Sequence, residues 1–492
     1  MLDGVIATFC LGLFGVALKR FIPFDPDQPL LLPPDLREAL PEGHTALLLI
    51  DLVEQLDLSE FYGALPGEEW GGRPGFDPRM MVRVWLYAYA SGVRSSRKVA
   101  QALIENIAFR VVSNNQTPGH WALNRFRTRH HEALGNLLVQ TVQLAMNLGL
   151  VKLGNVAIDG TKIKANASKH KAMSFGRMDS TEERLKVEIH AYLRGCDEQD
   201  RLEDEEFGPD DDGMSLPQEL RDKQVRRNKI AAAKRELARR AEDRRAKEQA
   251  KRAEAAVREG RSYQPRDRVE DAVPEDSDQI NFTDSESRIM RCQGAVVQAY
   301  NAQAAVDTAS HIVLAACVSN QAADAEHLIG LADEAIASTG KTPKRFTADA
   351  GYYSEKNIEH VEALGSEALV PPDKVRRREW RAQQSPKGRI PKDLSRRDRM
   401  RRRLATKEGK RCYLERQASV EPVFGNTKGN RGLRQFLHRG LQKNHHLFRF
   451  DMVVHNLLKL AKHAKRCLAP PKAGNRPGTE RRNQQERMPA AA

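Results

Sequence analysis

Cysteine is scarce in this chain: six in 492 residues, at Cys10, Cys196, Cys292, Cys317, Cys412 and Cys467, with no CxxC pair and no Cys/His cluster. That scatter excludes a disulfide scaffold and a zinc site and suits a reducing cytoplasm. Long apolar runs are also lacking. The run from Gly4 to Leu18 lacks a basic segment ahead of it and falls short of the about twenty residues that span a bilayer, so no membrane partner is expected. Residues 1–18 read as a dispensable extension ahead of a domain that begins at Lys19. Acidic charge is missing where basic charge is densest. Residues 376–411 carry 16 Lys+Arg against 4 Asp+Glu, residues 425–467 carry 10 against 1, and residues 1–375 hold 48 against 57. The net charge of +14 is therefore a placed surface, which excludes a histone-like character and points to an acidic polymer as partner.

With 40% apolar residues, the chain can bury a sizeable core and divide into two or three domains. Residues 33–150 are helix-rich by pattern: 35–40, 44–58, 78–90, 97–103 and a long segment 120–148. Ser95, Ser96 and Thr117 are candidate N-caps, and Pro78 and Pro118 suit first helical turns. Such helices form either a helix-turn-helix-like module or an all-α domain without DNA contacts; Arg125, Arg127, Arg129 and His130 favour DNA. After Gly154 a strand is expected over 155–159, continuing in alternating register over 161–165, so that a carboxylate ends a buried strand. Residues from about 170 to 285 are charged and helical, an insertion that serves as a spacer or dimer contact. Strands at 295–306, 311–318, 345–349 and 368–370 then alternate with helices at 322–338 and 355–364, which makes the core α/β. A helix near 414–428, a glycine-rich stretch 429–440, a helix 446–463 and a disordered tail over 468–492 complete the chain.

Cleaving a phosphodiester requires a nucleophile in line with a leaving oxygen, and divalent ions that stabilise both oxygens are held by carboxylates drawn from different elements. Asp159 after a strand, Asp349 in Phe346-Thr347-Ala348-Asp349-Ala350-Gly351-Tyr352, and Glu421 beside a helix form such a set. Arg431, Arg434, His438 and Arg439 lie among glycines, where they would line a nucleic-acid backbone.

Three strings carry a family resemblance. The stretch 156–168, VAIDGTKIKANAS, resembles the first-aspartate motif of bacterial insertion-sequence transposases of the DDE class. Ala348-Asp349-Ala350-Gly351-Tyr352 resembles their second, and residues 413–428, YLERQASVEPVFGNTK, are similar to their Y-R-E-K signature. The similarity runs from about Lys19 to Leu460, including residues 24–34 and 76–81. Two departures stand out. Four residues separate Arg416 from Glu421 where three are expected, and Gly119 stands where an acidic residue is expected. The resemblance implies a ribonuclease-H-like mixed sheet with a helical insertion between its first and second strands, preceded by an all-α domain over 19–150, with the catalytic domain over 151–467. It implies magnesium, replaceable by manganese, held by Asp159, Asp349 and Glu421. It places Tyr413, Arg416 and Lys428 on phosphates near the scissile bond, and a homodimer or larger assembly on double-stranded DNA. The expected activity is cleavage of element ends and joining of the 3'-hydroxyl to target DNA. A hydrolytic nuclease of the same fold and a catalytically inactive architectural protein are the alternatives.

Overall fold

The computed structural model describes residues 35–63, 75–168, 171–207, 218–292, 294–374, 384–389, 391 and 393–468. The expected extension at 1–18, the similar segment at 24–34 and the tail beyond Leu468 lie outside the described residues.

The N-terminal part is helical: α1 (Thr45–Val53), α2 (Ser59–Gly63), α3 (Pro78–Ala90), α4 (Ser96–Glu105), α5 (Ile107–Val112), α6 (His120–Arg129) and α7 (His131–Asn147). Pro78 opens α3 with a preset φ, and Asp77 caps it by accepting from Arg79 N (2.8 Å) and Met80 N (3.4 Å). The single helix expected over 120–148 is two. His130 leaves helical geometry (φ −103°, ψ 24°) and packs its buried ring on Phe61 and Phe126, so the chain turns there. Gly119, rather than Thr117, is the N-cap of α6.

Next come β1 (Val156–Lys164), β2 (Ala172–Ser174), α8 (Phe175–Phe207), α9 (Gln218–Arg258), β3 (Gln279–Asn281), β4 (Arg288–Cys292), β5 (Ala295–Asp307) and β6 (Val313–Ser319). After them are α10 (Leu328–Thr339), β7 (Arg345–Thr347), a 3-10 turn (Ala350–Tyr352), α11 (Glu355–Ala363), β8 (Glu367–Leu369), α12 (Arg396–Ala405), α13 (Lys407–Gly429) and α14 (Leu441–Leu468). The six-stranded sheet has the order β4-β5-β1-β7-β8, with β6 also paired to β5. It is mixed: β1 is antiparallel to β5 and parallel to β7, which is parallel to β8. Asp159 therefore does not end its strand. Thr161 and Ile163 keep the alternation going and β1 stays paired with β5 through Lys164, whereas its register with β7 stops at Ala157. Small residues in β5 (Ala299, Ala302, Ala304 and Ala305, all 0% exposed) let α10 and α13 approach the sheet closely.

The segment between β1 and β4 has its own small core. Met178, Leu185, Ile230, Leu237 and Ile280 join α8 to α9, and the antiparallel β2–β3 pair closes its base. Elsewhere one hydrophobic core runs through the molecule. Phe448, Phe450, Val453 and Leu457 of α14 belong to the same cluster as Trp85 of α3, Leu138 of α7 and Leu314 of β6. A buried polar link crosses the same boundary: Arg94 donates to the Arg431 carbonyl (2.7 Å) and to both carboxylate oxygens of Asp451. Gly92, at φ +76°, lies so close that a Cβ there would be 3.2 Å from the Asn430 carbonyl oxygen. Among the described residues, no helix is long and apolar enough to cross a membrane.

Candidate active site

Ala157 of β1 lies opposite Thr347 of β7. Two residues further along each chain stand Asp159 and Asp349, which a period of two returns to the face occupied by Ala157 and Thr347. Parallel neighbours thus deliver two carboxylates side by side at one end of the pairing. Asp349 is also the cap of the 3-10 turn, its Oδ1 accepting from Gly351 N at 2.8 Å. Asp159 accepts from Gly160 N through Oδ1 (2.8 Å) and from Arg416 Nη1 through Oδ2 (2.6 Å).

Arg416 comes from α13, which lies across β1 with its apolar stripe Cys412, Val420, Val423 and Thr427 buried. Its guanidinium, 6% exposed, rests 5.2 Å from the centroid of the Tyr413 ring. Burial pushes the Asp159 carboxyl up; Arg416 pulls it back and the Asp349 charge adds to the rise. Burial works against the Arg416 charge, but Asp159, Tyr413 and Asp349 hold its pKa above the ordinary value. Burial also raises the Tyr413 hydroxyl. Two turns beyond Val420, Lys428 donates to Thr161 Oγ1 (2.5 Å) and the Lys162 carbonyl (2.9 Å). Burial lowers the Lys428 pKa. Beside Asp349 a cavity of about 390 Å³ opens between Pro371, Pro372, Leu404, Tyr413 and Arg401.

Glu421 does not join the aspartates. It is exposed on α13, and among the described residues no group of three or more His, Cys, Asp or Glu is arranged to hold a metal ion. The reason is helical phase. At about 100° per residue, an acid four positions after Arg416 would stand about 40° from it, facing the sheet, whereas one five positions after stands about 140° away. The site-facing position is taken by Val420, which is fully buried. Glu421 lies within about 20° of Lys428, seven residues on, but is exposed, whereas the longer Lys428 side chain is half-buried and reaches β1.

The glycine-rich stretch divides. Arg434 and Arg439 are exposed, whereas His438 is half-buried with its pKa pushed down to about 4 by burial. Arg431 is 1% exposed and donates to the Asp451 carbonyl (2.6 Å) and Thr427 Oγ1 (2.5 Å). Its expected place on a nucleic-acid backbone is corrected: the side chain is an internal strut.

On the opposite face of the sheet lies a network that the motifs did not reveal. Asp324 Oδ1 accepts from Lys162 (2.9 Å), Asn301 (2.8 Å) and Gln303 (2.8 Å), and Gln303 accepts from the buried Tyr352 hydroxyl. A Cβ on Gly160 would meet Gln303 Nε2 at 2.5 Å, and one on Gly351 would lie 3.0 Å from Asp349 Oδ1 and 3.5 Å from Asp324 Oδ2. The two glycines let this network press against the backbone that carries both aspartates. The alternation of β1 puts Gly160 and Lys162 on that face; for Asp324, in the loop after β6, no spacing gives a signal.

The architecture is that of a mixed-sheet α/β protein with a helical N-terminal region and a paired-aspartate site guarded by an arginine. Residues 34–129 match the family described as Transposase domain (DUF772), and residues 270–457 match the family described as Transposase DDE domain. The chain belongs to the insertion-sequence transposases of the DDE class, enzymes that act on DNA. Asp349, Arg416, Glu421 and Lys428 lie inside the second match; Asp159 lies between the two. Neither a curated protein nor a solved structure matches the chain.

Proposed function

We propose that the protein cleaves the ends of its insertion sequence and joins the freed 3'-hydroxyl to target DNA, on a ribonuclease-H-like domain over residues 151–467. The observation that carries this reading is that Asp159, in β1, and Asp349, just past the end of the parallel neighbour β7, stand side by side, with Arg416 and Tyr413 brought to them by α13. The two aspartates are hard, anionic oxygen donors and would hold a divalent ion of the magnesium type; Glu421, exposed on α13, would add a third carboxylate only if that helix turned toward them. A divalent ion held by Asp159 and Asp349 would supply activation of the attacking oxygen and charge stabilisation of the leaving one.

The chain's own groups do the rest. Arg416 Nε has no hydrogen-bond partner among the described residues while its Nη1 holds Asp159, so the guanidinium keeps a donor, and its charge, for a phosphate oxygen brought to the aspartates. Tyr413 flanks the guanidinium and the cavity beside Asp349, where its ring shields the reacting phosphate from water. Lys428, Arg434 and Arg439 extend a cationic track along α13 and the loop after it, fixing double-stranded DNA by its backbone. The helical region 19–150 takes part in holding the element ends, and two or more copies pair the two ends in the cytoplasm at the nucleoid.

The test is cleavage and strand transfer on DNA carrying the element's ends with Mg2+ or Mn2+, comparing the wild type with Asp159→Ala. Joined products that depend on metal and vanish in the variant are expected. Cleaved but never joined DNA would indicate a hydrolytic nuclease, and tight binding without metal-dependent chemistry would indicate an architectural protein.

A further inference from the structure

We propose that the surface where the N-terminal ends of α4 and α6 meet is the contact that grips the element-end duplex outside the catalytic cleft, with Trp121 as its anchor. The inference rests on the transposase reading above and adds the residues that do the gripping.

The two helices pack with their first turns side by side, and a cavity of about 330 Å³ opens between Ser95, Ser96, Arg97, His120, Trp121 and Asn124. Trp121 is 78% exposed, while Trp85 of the same helical region is 0% exposed. Helix α6 turns Leu123 and Arg127 inward and leaves the indole in solvent with His120 as its ring neighbour, centroids 6.2 Å apart. An indole costs free energy in water unless a partner covers it, and exposed aromatics beside arginines mark interaction sites.

Charge selects the partner. Between Glu105 and Glu132 the chain holds no acidic residue, and Arg97, Lys98, Arg125 and Arg129 are all exposed on α4 and α6. Neither helix has a side-chain cap: Ser95 makes no capping hydrogen bond, and Gly119 has no side chain to make one. The acidic residue expected at position 119 is absent, and none of the described residues lining the cavity is acidic. Cations, hydroxyls and a flat aromatic with one N–H donor suit a sugar-phosphate backbone, with phosphate oxygens at the arginine and serines and the indole against the sugar. The surface is wired to the catalytic half, because Arg94, the residue before Ser95, donates to the Arg431 carbonyl and to Asp451.

The full chain would be titrated, with metal chelated, against a labelled element-end duplex and an unrelated duplex at several salt concentrations. Trp121→Ala is expected to weaken end binding about tenfold, and Trp121→Phe to restore most of it. Arg97→Gln should lower the slope of log affinity against log salt by about one. Arg184→Gln, on the distant helix α8, should leave both unchanged. Truncating an exposed indole leaves the fold intact, which an unchanged thermal midpoint would verify. If the wild type binds the end duplex and both Trp121→Ala and Arg97→Gln bind it within about twofold of that affinity, the surface is not the grip. If the wild type does not bind the end duplex at all, the transposase reading falls and takes this surface with it.

Discussion

Arg416 is what allows two partly buried carboxylates to stand together, and the one extra residue between it and Glu421 decides which side chain meets Asp159. The helix cannot present both on one face, so the acid is exposed while Val420 fills the inner position. If Glu421 is the third ligand, α13 rolls as DNA seats, and Glu421→Gln should lower metal-dependent cleavage at least about a hundredfold while leaving DNA affinity unchanged. Cleavage by Glu421→Gln within a few-fold of wild type would remove Glu421 from the site. The turn at Asp349 was legible from the string around it, because a strand followed by a tight turn is local chemistry, whereas Asp159, read as ending a strand, stands inside one that runs on to Lys164. Which face the glutamate occupies was not, since helical phase depends on where α13 starts and how it packs, and Arg431 reads as surface charge until Asp451 is seen beside it.

Helix α13 begins at Lys407, seven residues before the pattern suggests, because the basic string ahead of Leu414 reads as a solvated linker. Thr406 caps it, accepting from Gly409 N at 3.0 Å, and α12 runs up to that cap. Gly409 lies so close that a Cβ would overlap the Arg403 carbonyl oxygen. Gly409→Ala should therefore push α12 from α13, costing on the order of 1–3 kcal/mol and lowering cleavage by misplacing Arg416. Urea unfolding and cleavage rates would check both, and unchanged stability would mean that the junction yields freely. Other elements were easier to read. Asp77 and Pro78 locate the start of α3 to the residue, whereas α5, a short apolar run, carries no period that separates helix from strand.

Across the whole molecule, the shared core draws in titrating groups that no single element would bury. Burial lowers His130, His438 and His445 each to about 4 and His455 to about 3, and these come from the N-terminal helices, the glycine-rich loop and α14. Each folded-state pKa is depressed below the unfolded value of about 6.5, so the fold keeps the rings neutral while the unfolded chain takes up protons. Stability should be flat above about pH 7 and fall as the pH drops from about 6.5 to 4. Urea midpoints measured across that range would show it, and a midpoint unchanged down to pH 4.5 would contradict the burial of these rings. The α/β class and the inserted helical hairpin could be read from alternating patterns. The continuity of the core could not, because α14 (Leu441–Leu468) lies hundreds of residues from its partners in α7 (His131–Asn147) and α3 (Pro78–Ala90).

The strut of Arg94, Asp451 and Arg431 turns that continuity into a measuring device. With the α4–α6 surface at one end and the aspartate pair at the other, held by one core, the protein is a caliper of fixed span. On the proposed reading, the phosphate that is cut lies at a set number of base pairs from the sequence that is gripped. Sliding that sequence along the duplex would carry the cut with it, base pair for base pair, and the outermost nucleotides of the element would matter for where they lie more than for what they spell.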